Sequence, residues 1–361
     1  MSMQTDILRE RSFVEAAIWR NRLLLTIVGI QLLTAVSLSI FTGTPFWFGA
    51  AIILLSLLKQ LLLIMALLLV VWRFLFGLLY VRPEKPIRWL LSDLRSFVLT
   101  PDKMTDGLIS FVAIAVMATS FVYLKYMIPL LNPFSWDPQF ASLDLWLHGG
   151  VEPWRLLWPT TGNLIVTKIL DFAYVVWFFL IYFCAFFAAF DRRQSSQGLV
   201  FLVAFALTWF VGGNVLATLF SSVGPVYFEA FGFGEDFAFQ MKALRELGTH
   251  TQIWALNAQQ MLLEGHTTNG ELRGISAMPS MHVATSVTMA LFGFTYRRWL
   301  GWSLTVFAVL ILLGSVHLGW HYAVDGYASI AIALIIWWAS KGLVARFGPH
   351  SDRPETPSQF G

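Results

Sequence analysis

Apolar runs of eighteen or more residues recur along this chain, and no other feature constrains its folding as tightly. One water-soluble core cannot hide so many of them. In hydrocarbon each run must satisfy its own backbone hydrogen bonds, which for a single segment means a helix. The composition agrees: 57% of residues are hydrophobic and 12% charged, against about 25% charged in an ordinary soluble domain. The expected fold class is all-α, a polytopic membrane helical bundle. Spans are expected at about 23–41, 48–80, 107–124, 164–190, 197–220, 280–295, 299–318 and 322–345. Basic residues are scattered in twos and threes, which argues against a nucleic-acid surface. The single cysteine, Cys184, has no intrachain partner and reads as a buried, inert thiol. Arg9, Arg11, Arg20 and Arg22 precede the first run without a small-residue cleavage site, as expected of a retained helix.

The second run is about 50 Å long as a helix, well beyond a hydrocarbon core of about 30 Å. It is either one long tilted helix or a hairpin of two short spans. Lys and Arg are enriched in cytoplasmic loops. With eight spans and the N-terminus inside, sixteen of the 24 Lys and Arg fall on inside segments. Five fall outside: Lys125, Arg155, Lys242, Arg245 and Arg273. Splitting the second run would invert every later loop and destroy this asymmetry, so one crossing is expected, with both termini cytoplasmic. Two long outside segments follow from that topology, 125–163 and 221–278. The second holds "DFAFQMKALREL", where Phe237, Met241, Leu244 and Leu247 recur at helical spacing. Both segments read as interfacial helices roofing the outer face.

The same topology brings two polar motifs to one face. "PSMH" (279–282) opens the sixth span, and "HLGWHYAVD" (317–325) lies between the seventh and eighth. Pro279 suits a first helical turn. Ser280, Met281 and His282 are then expected in that turn, where free N–H groups favour an anion. Ser280 adds a hydroxyl, and Arg273 is a cation able to pair with phosphate. His321 and Asp325 are four apart and expected on one helix face. A carboxylate bonded to one ring nitrogen leaves the other as a free, more basic lone pair, suited to a nucleophile or general base. His317 precedes a Gly-Trp break and is expected to play a supporting role. Zinc held by three histidines and an aspartate is an alternative, but a helix start bearing Ser280 and His282 beside Arg273 suits a phosphate oxyanion better. His148, His250 and His266 read as solvated loop residues, and Lys168 with Asp171 as an intramembrane pair.

With these residues in order, the chain resembles the type-2 phosphatidic acid phosphatase superfamily of membrane lipid phosphatases and phosphotransferases. That pattern pairs Pro-Ser-Gly-His with Ser-Arg-x5-His-x3-Asp. Here Met281 replaces the glycine, and Gly314 and Ser315 stand where the pattern has Ser-Arg. The first motif, Lys-x6-Arg-Pro, is absent, with "SSVGPVYF" (221–228) in its place. "GISAMPSMHVA" and "LGWHYAVD" are similar to the inositol phosphorylceramide synthase-like branch, an inositolphosphotransferase group that keeps both histidines and the aspartate.

The resemblance covers about residues 107–345. It implies a six-span core there, preceded by an N-terminal membrane segment of two spans (1–106); the polar, Pro-rich end, "GPHSDRPETPSQFG", is expected to be a disordered tail (346–361). The resemblance further implies that His321 attacks a phosphoester phosphorus, that Asp325 orients it, and that His282 exchanges protons with the leaving and incoming oxygens. Ser280 and Arg273 would bind phosphate, with Ser315 and His317 in support. The implied chemistry needs no metal and no cofactor. The implied partners are a lipid phosphate or phosphodiester and membrane lipids, with the site on the exoplasmic side. Two other classes stay open: a transporter with an outer-face His/Asp proton relay, and a catalytically inactive scaffold relative.

Overall fold

The computed structural model describes residues 13–46, 49–97, 101–190, 195–268 and 274–349. It is an all-α bundle; the described residues contain no strand. In chain order the helices are α1 (Arg22–Thr42), α2 (Gly49–Phe76), α3 (Pro86–Phe97), α4 (Pro101–Leu131), α5 (Asp137–Leu147), α6 (Pro153–Thr161) and α7 (Leu164–Phe190). They continue as α8 (Ser195–Leu207), α9 (Ala238–His250), α10 (Trp254–Thr267), α11 (Met281–Tyr296), α12 (Arg298–His317) and α13 (Ala323–Phe347). The α8 path runs on through a π-helical stretch, Thr208–Leu216, to Leu219. Six of the described helices are long and apolar enough to cross a membrane.

The long second run forms one helix, since α2 continues through the π turn Gly77–Val81 without a break. Its Arg73 is tolerated because it pairs with Asp93 of α3 at 2.5 Å. Buried polar groups dock α1 onto the bundle. Arg20, just before α1, pairs with Asp106 at 3.0 Å, and Gln31 donates to Asn214 at 3.0 Å. Such pairs fasten helices where lipid gives no hydrophobic drive.

At the centre stands α11, packed against α7, α8, α12 and α13. Its 16 residues rise only about 24 Å, and nine of them are buried. At the boundary expected between the last span and the tail, α13 runs on to Phe347, so residues 346 and 347 are helical; residues 350–361 lie outside the described ones.

The segments between α4 and α7 and between α8 and α11 cover one end of the bundle, and they are tied down by acids at helix starts. Asp144 of α5 accepts from the N–H groups of Ala323 and Val324 at 2.7 and 2.8 Å. Asp171 of α7 accepts from those of Trp254 and Ala255, both at 2.9 Å. These N–H groups have no acceptor within their own helix, and the positive helix end favours a carboxylate. At the opposite pole of α12, Gln240 donates to the carbonyls of Val316 and His317, and Gln259 to that of Leu318. The expected amphipathic helix is α9, with Phe237, Met241 and Leu244 buried. The expected Lys168–Asp171 pair does not form. Asp171 holds α10, and Lys168 donates to the Gln252 carbonyl at 2.8 Å.

Candidate active site

The roofed end holds a cavity of about 400 Å³ bordered by both motif histidines. Their rings meet edge to face with centroids 6.2 Å apart. Each arrives by a different route.

His321 is not on a helix. Because α13 begins at Ala323 with Tyr322 as its N-cap, His321 lies in the turn after α12. The expectation of a shared helix face with Asp325 is therefore corrected. Asp325 instead sits three residues inside the capping box, where Oδ2 accepts from the Tyr322 N–H at 3.1 Å and comes within 3.4 Å of His321 Nδ1. The shorter contact of Nδ1 is with the Ala277 carbonyl, at 2.8 Å. A carbonyl only accepts, so Nδ1 carries the proton and Nε2 the lone pair. Nε2 makes no hydrogen bond among the described residues. Ala277 is itself held, since its N–H donates to the Ser222 carbonyl at 2.9 Å and the next N–H to Ser222 Oγ at 3.1 Å. The turn carrying Ser222 needs a glycine. Gly224 has φ +88°, and a Cβ there would lie 2.6 Å from the Trp320 carbonyl oxygen.

His282 occupies the first turn of α11, as expected. Its ring is held between Tyr174, centroid 4.7 Å away, and Trp177, at 4.3 Å. Trp177 is fixed by donating to Thr285 Oγ1 at 3.0 Å. Neither nitrogen of His282 makes a hydrogen bond among the described residues, so aromatic contacts set its position and leave its proton chemistry free.

Four other expected residues lie elsewhere. Ser280 precedes α11 as its N-cap; its buried hydroxyl accepts from the Val283 N–H at 3.4 Å and does not border the cavity. The helix starts one residue later than its motif suggests, which leaves the N–H groups of Met281 and His282 at the open end. Ser315 supports from behind, its carbonyl accepting from the His321 N–H at 3.1 Å. His317 points away from the cavity, with Nδ1 and Nε2 each 2.9 Å from a threonine hydroxyl, Thr161 and Thr167. With both nitrogens engaged, it offers the zinc alternative no third histidine. Arg273 lies outside the described residues.

The sequence reading missed two groups of the site: the Ala277 carbonyl, which holds His321, and Lys125, which borders the cavity. No sequence signal marks a carbonyl. Lys125 had one: it is the outside cation nearest the end of an expected span. His148, expected to be a solvated loop residue, bridges the Asp144 carbonyl at 2.7 Å and the Tyr327 hydroxyl at 2.9 Å.

Carboxylates of the roof surround the turn before α13. Asp137 accepts from the Tyr322 hydroxyl at 2.8 Å and from the N–H groups of Val223 and Gly224. Burial pushes its carboxyl above the usual range, against those three donors. Burial likewise raises Asp144 to about 6, opposed by the Ala323 and Val324 N–H groups. Both acids serve the scaffold, fixing Tyr322 and the start of α13 next to His321.

An all-α membrane bundle that converges two histidines and an aspartate at one roofed end fits a membrane phosphatase-type enzyme. The PAP2 superfamily model matches residues 138–339, a stretch that contains His282, His321 and Asp325. The chain belongs to the PAP2 superfamily. No curated protein and no solved structure matches it.

Proposed function

We propose that the protein is a membrane lipid phosphatase or phosphotransferase working through a phosphohistidine at His321. The observation that carries this reading is the pair of rings 6.2 Å apart at one cavity, with Nδ1 of His321 tied to the Ala277 carbonyl. The tie presents Nε2 as the nucleophile. Its lone pair forms the N–P bond as the ester P–O bond breaks, and His282 gives its proton to the departing oxygen. His282 then takes the proton of an incoming water or lipid hydroxyl. That oxygen bonds to phosphorus, the N–P bond breaks, and His321 is restored. The N–H groups opening α11 meet the charge that develops on the phosphoryl oxygens. Asp325 steadies the imidazolium-like ring of the intermediate from 3.4 Å.

The cavity supports a lipid substrate. It extends along α4 from Lys125 to Ile114 and along α7 from Asp171 to Tyr182, with mostly apolar walls. Eleven residues of α4 rise about 16 Å, enough to shelter part of an acyl or prenyl chain beside the bundle. The "GISAMPSMHVA" and "LGWHYAVD" motifs favour the inositol phosphorylceramide synthase-like branch, and with it transfer to a lipid hydroxyl. A transporter with an outer-face His/Asp relay should also carry ionisable residues near the midplane of several spans, and the two candidates for that, Lys168 and Asp171, are both committed to holding the roof.

Purified protein incubated with lipid phosphates and phosphodiesters tests this reading. Ceramide or diacylglycerol is added or omitted, with and without EDTA, and products are identified by mass spectrometry. Phosphate release or transfer that persists in EDTA is expected. Activity that EDTA abolishes and zinc restores would replace the histidine mechanism with a metal one.

The charge asymmetry of the loops favours an exoplasmic site. Thr267→Cys on the exposed part of α10 should then react with an impermeant thiol reagent on intact cells. Labelling only after lysis would reverse the topology.

A further inference from the structure

We propose that Lys125 is the cation that binds the substrate's phosphate, a role that rests on the phosphoryl-transfer reading above. The lysine lies six residues before the end of α4, within an apolar helix, where an ammonium without a partner is costly. Three other cations of the helical bundle have protein acceptors. Arg20 pairs with Asp106, Arg73 with Asp93, and Lys168 donates to the Gln252 carbonyl. Lys125 has no hydrogen bond and no acidic partner among the described residues; its Nζ lies 6.0 Å from the Phe121 ring centroid. Nor does it point to open surroundings: it is half-buried and borders the same cavity as His282 and His321.

Its position is built into the site. The aliphatic stem crosses Gly274, where a Cβ would lie 3.2 Å from Lys125 Cγ and 3.3 Å from Cδ. Gly274 has φ +122°, a conformation that favours glycine, and a Cβ there would also crowd the lysine stem. Three residues on is Ala277, whose carbonyl holds His321. One turn below Lys125, Phe121 packs over Gly213 together with Met281, the first residue of α11; a Cβ at Gly213 would be 2.7 Å from Phe121 and 3.2 Å from Met281 Sδ. The ammonium therefore stands where α4 meets both the strut that orients the nucleophile and the helix that carries His282. A cation there balances a phosphate's charge as it enters, and its three donors can follow the phosphoryl oxygens through transfer.

Lys125 lies before residues 138–339, the stretch that matches the superfamily. The phosphate contact would thus be supplied by a helix outside the matched region.

The test compares Lys125→Met and Lys125→Arg with the unmodified protein in detergent, by lipid phosphate turnover, by inhibition with inorganic phosphate, and by thermal melting. Lys125→Met should lose about 10- to 100-fold in kcat/KM and most of its sensitivity to inorganic phosphate, with Lys125→Arg recovering much of both. Inorganic phosphate should also raise the melting temperature of His321→Ala protein, and adding Lys125→Met to that variant should remove the shift. This binding arm needs no turnover, so it reports on Lys125 even where no lipid phosphate proves to be a substrate. If Lys125→Met does not fold, Lys125→Arg against Lys125→Gln carries the same comparison. Equal phosphate binding with and without the charge overturns the proposal, as does kcat/KM within twofold of the unmodified protein.

Discussion

His317 and His321 are four residues apart at the same break between α12 and α13, yet their surroundings treat the two rings in opposite ways. The ring of His317 is enclosed, with a threonine hydroxyl on each nitrogen and Trp158 beside it, centroids 5.5 Å apart. Every polar atom of that ring has a partner, so it stiffens the junction of α6, α7 and α12 and has nothing left to offer a ligand. His321 has one nitrogen anchored to a carbonyl and the other open to a cavity that also holds His282. The imidazole that the fold leaves half satisfied is the one we propose for the chemistry. Counting histidines at a membrane face does not separate the two; following each nitrogen to its partner does.

The contrast is broken most severely by exchanging which histidine is removed. His321→Ala should lower turnover of a lipid phosphate by at least about 1000-fold while the protein still inserts and melts cooperatively. His317→Ala should keep activity within several-fold and instead lose about 1–3 kcal/mol of stability, because two buried hydroxyls lose their partner. Strong activity loss in folded His317→Ala, with His321→Ala active, would invert the assignment.

A finer cut separates His321 from His282. The acid role is needed only when the departing oxygen is a poor leaving group. His282→Ala should lose about 100- to 10,000-fold on an alkyl phosphate and much less on p-nitrophenyl phosphate. Equal losses on both would mean that His282 acts on something other than the leaving oxygen.

The smallest effect concerns the scaffold around the pair. Asp144, raised to about 6 by burial, binds a proton more readily in the folded protein than in the unfolded chain. Its preference for the folded state is full below about pH 4 and is lost as pH rises through about 6. Asp144→Asn should flatten the change in melting temperature between those pH values, an effect on the order of 1–3 kcal/mol. An unchanged pH profile would place the titration elsewhere.

The bundle was legible in the sequence because each span writes itself as a local apolar run, and the loop charges decided that the run at 48–80 is a single helix. Motif histidines were legible as well, since the topology puts "PSMH" and "HLGWHYAVD" at one end. Helix starts were less so. The sequence spacing suggested a shared face for His321 and Asp325, whereas a capping box two residues later joins them. Long-range partners left no local trace: Asp144 caps a helix about 180 residues away. Lys125 falls just past the expected span end at 124, whereas α4, packed against α1, α7 and the π-helical stretch 208–216, runs on to Leu131.

In the proposed mechanism His321 carries the phosphoryl group from a lipid ester to water or to a lipid hydroxyl. Rapid alkaline quench of the enzyme with a lipid labelled in its phosphate, followed by peptide mapping, tests it directly. An alkali-stable, acid-labile phosphate on the peptide containing His321, absent from His321→Ala, is the predicted result. Turnover by His321→Ala at the unmodified rate, or label recovered on a different residue, would contradict it.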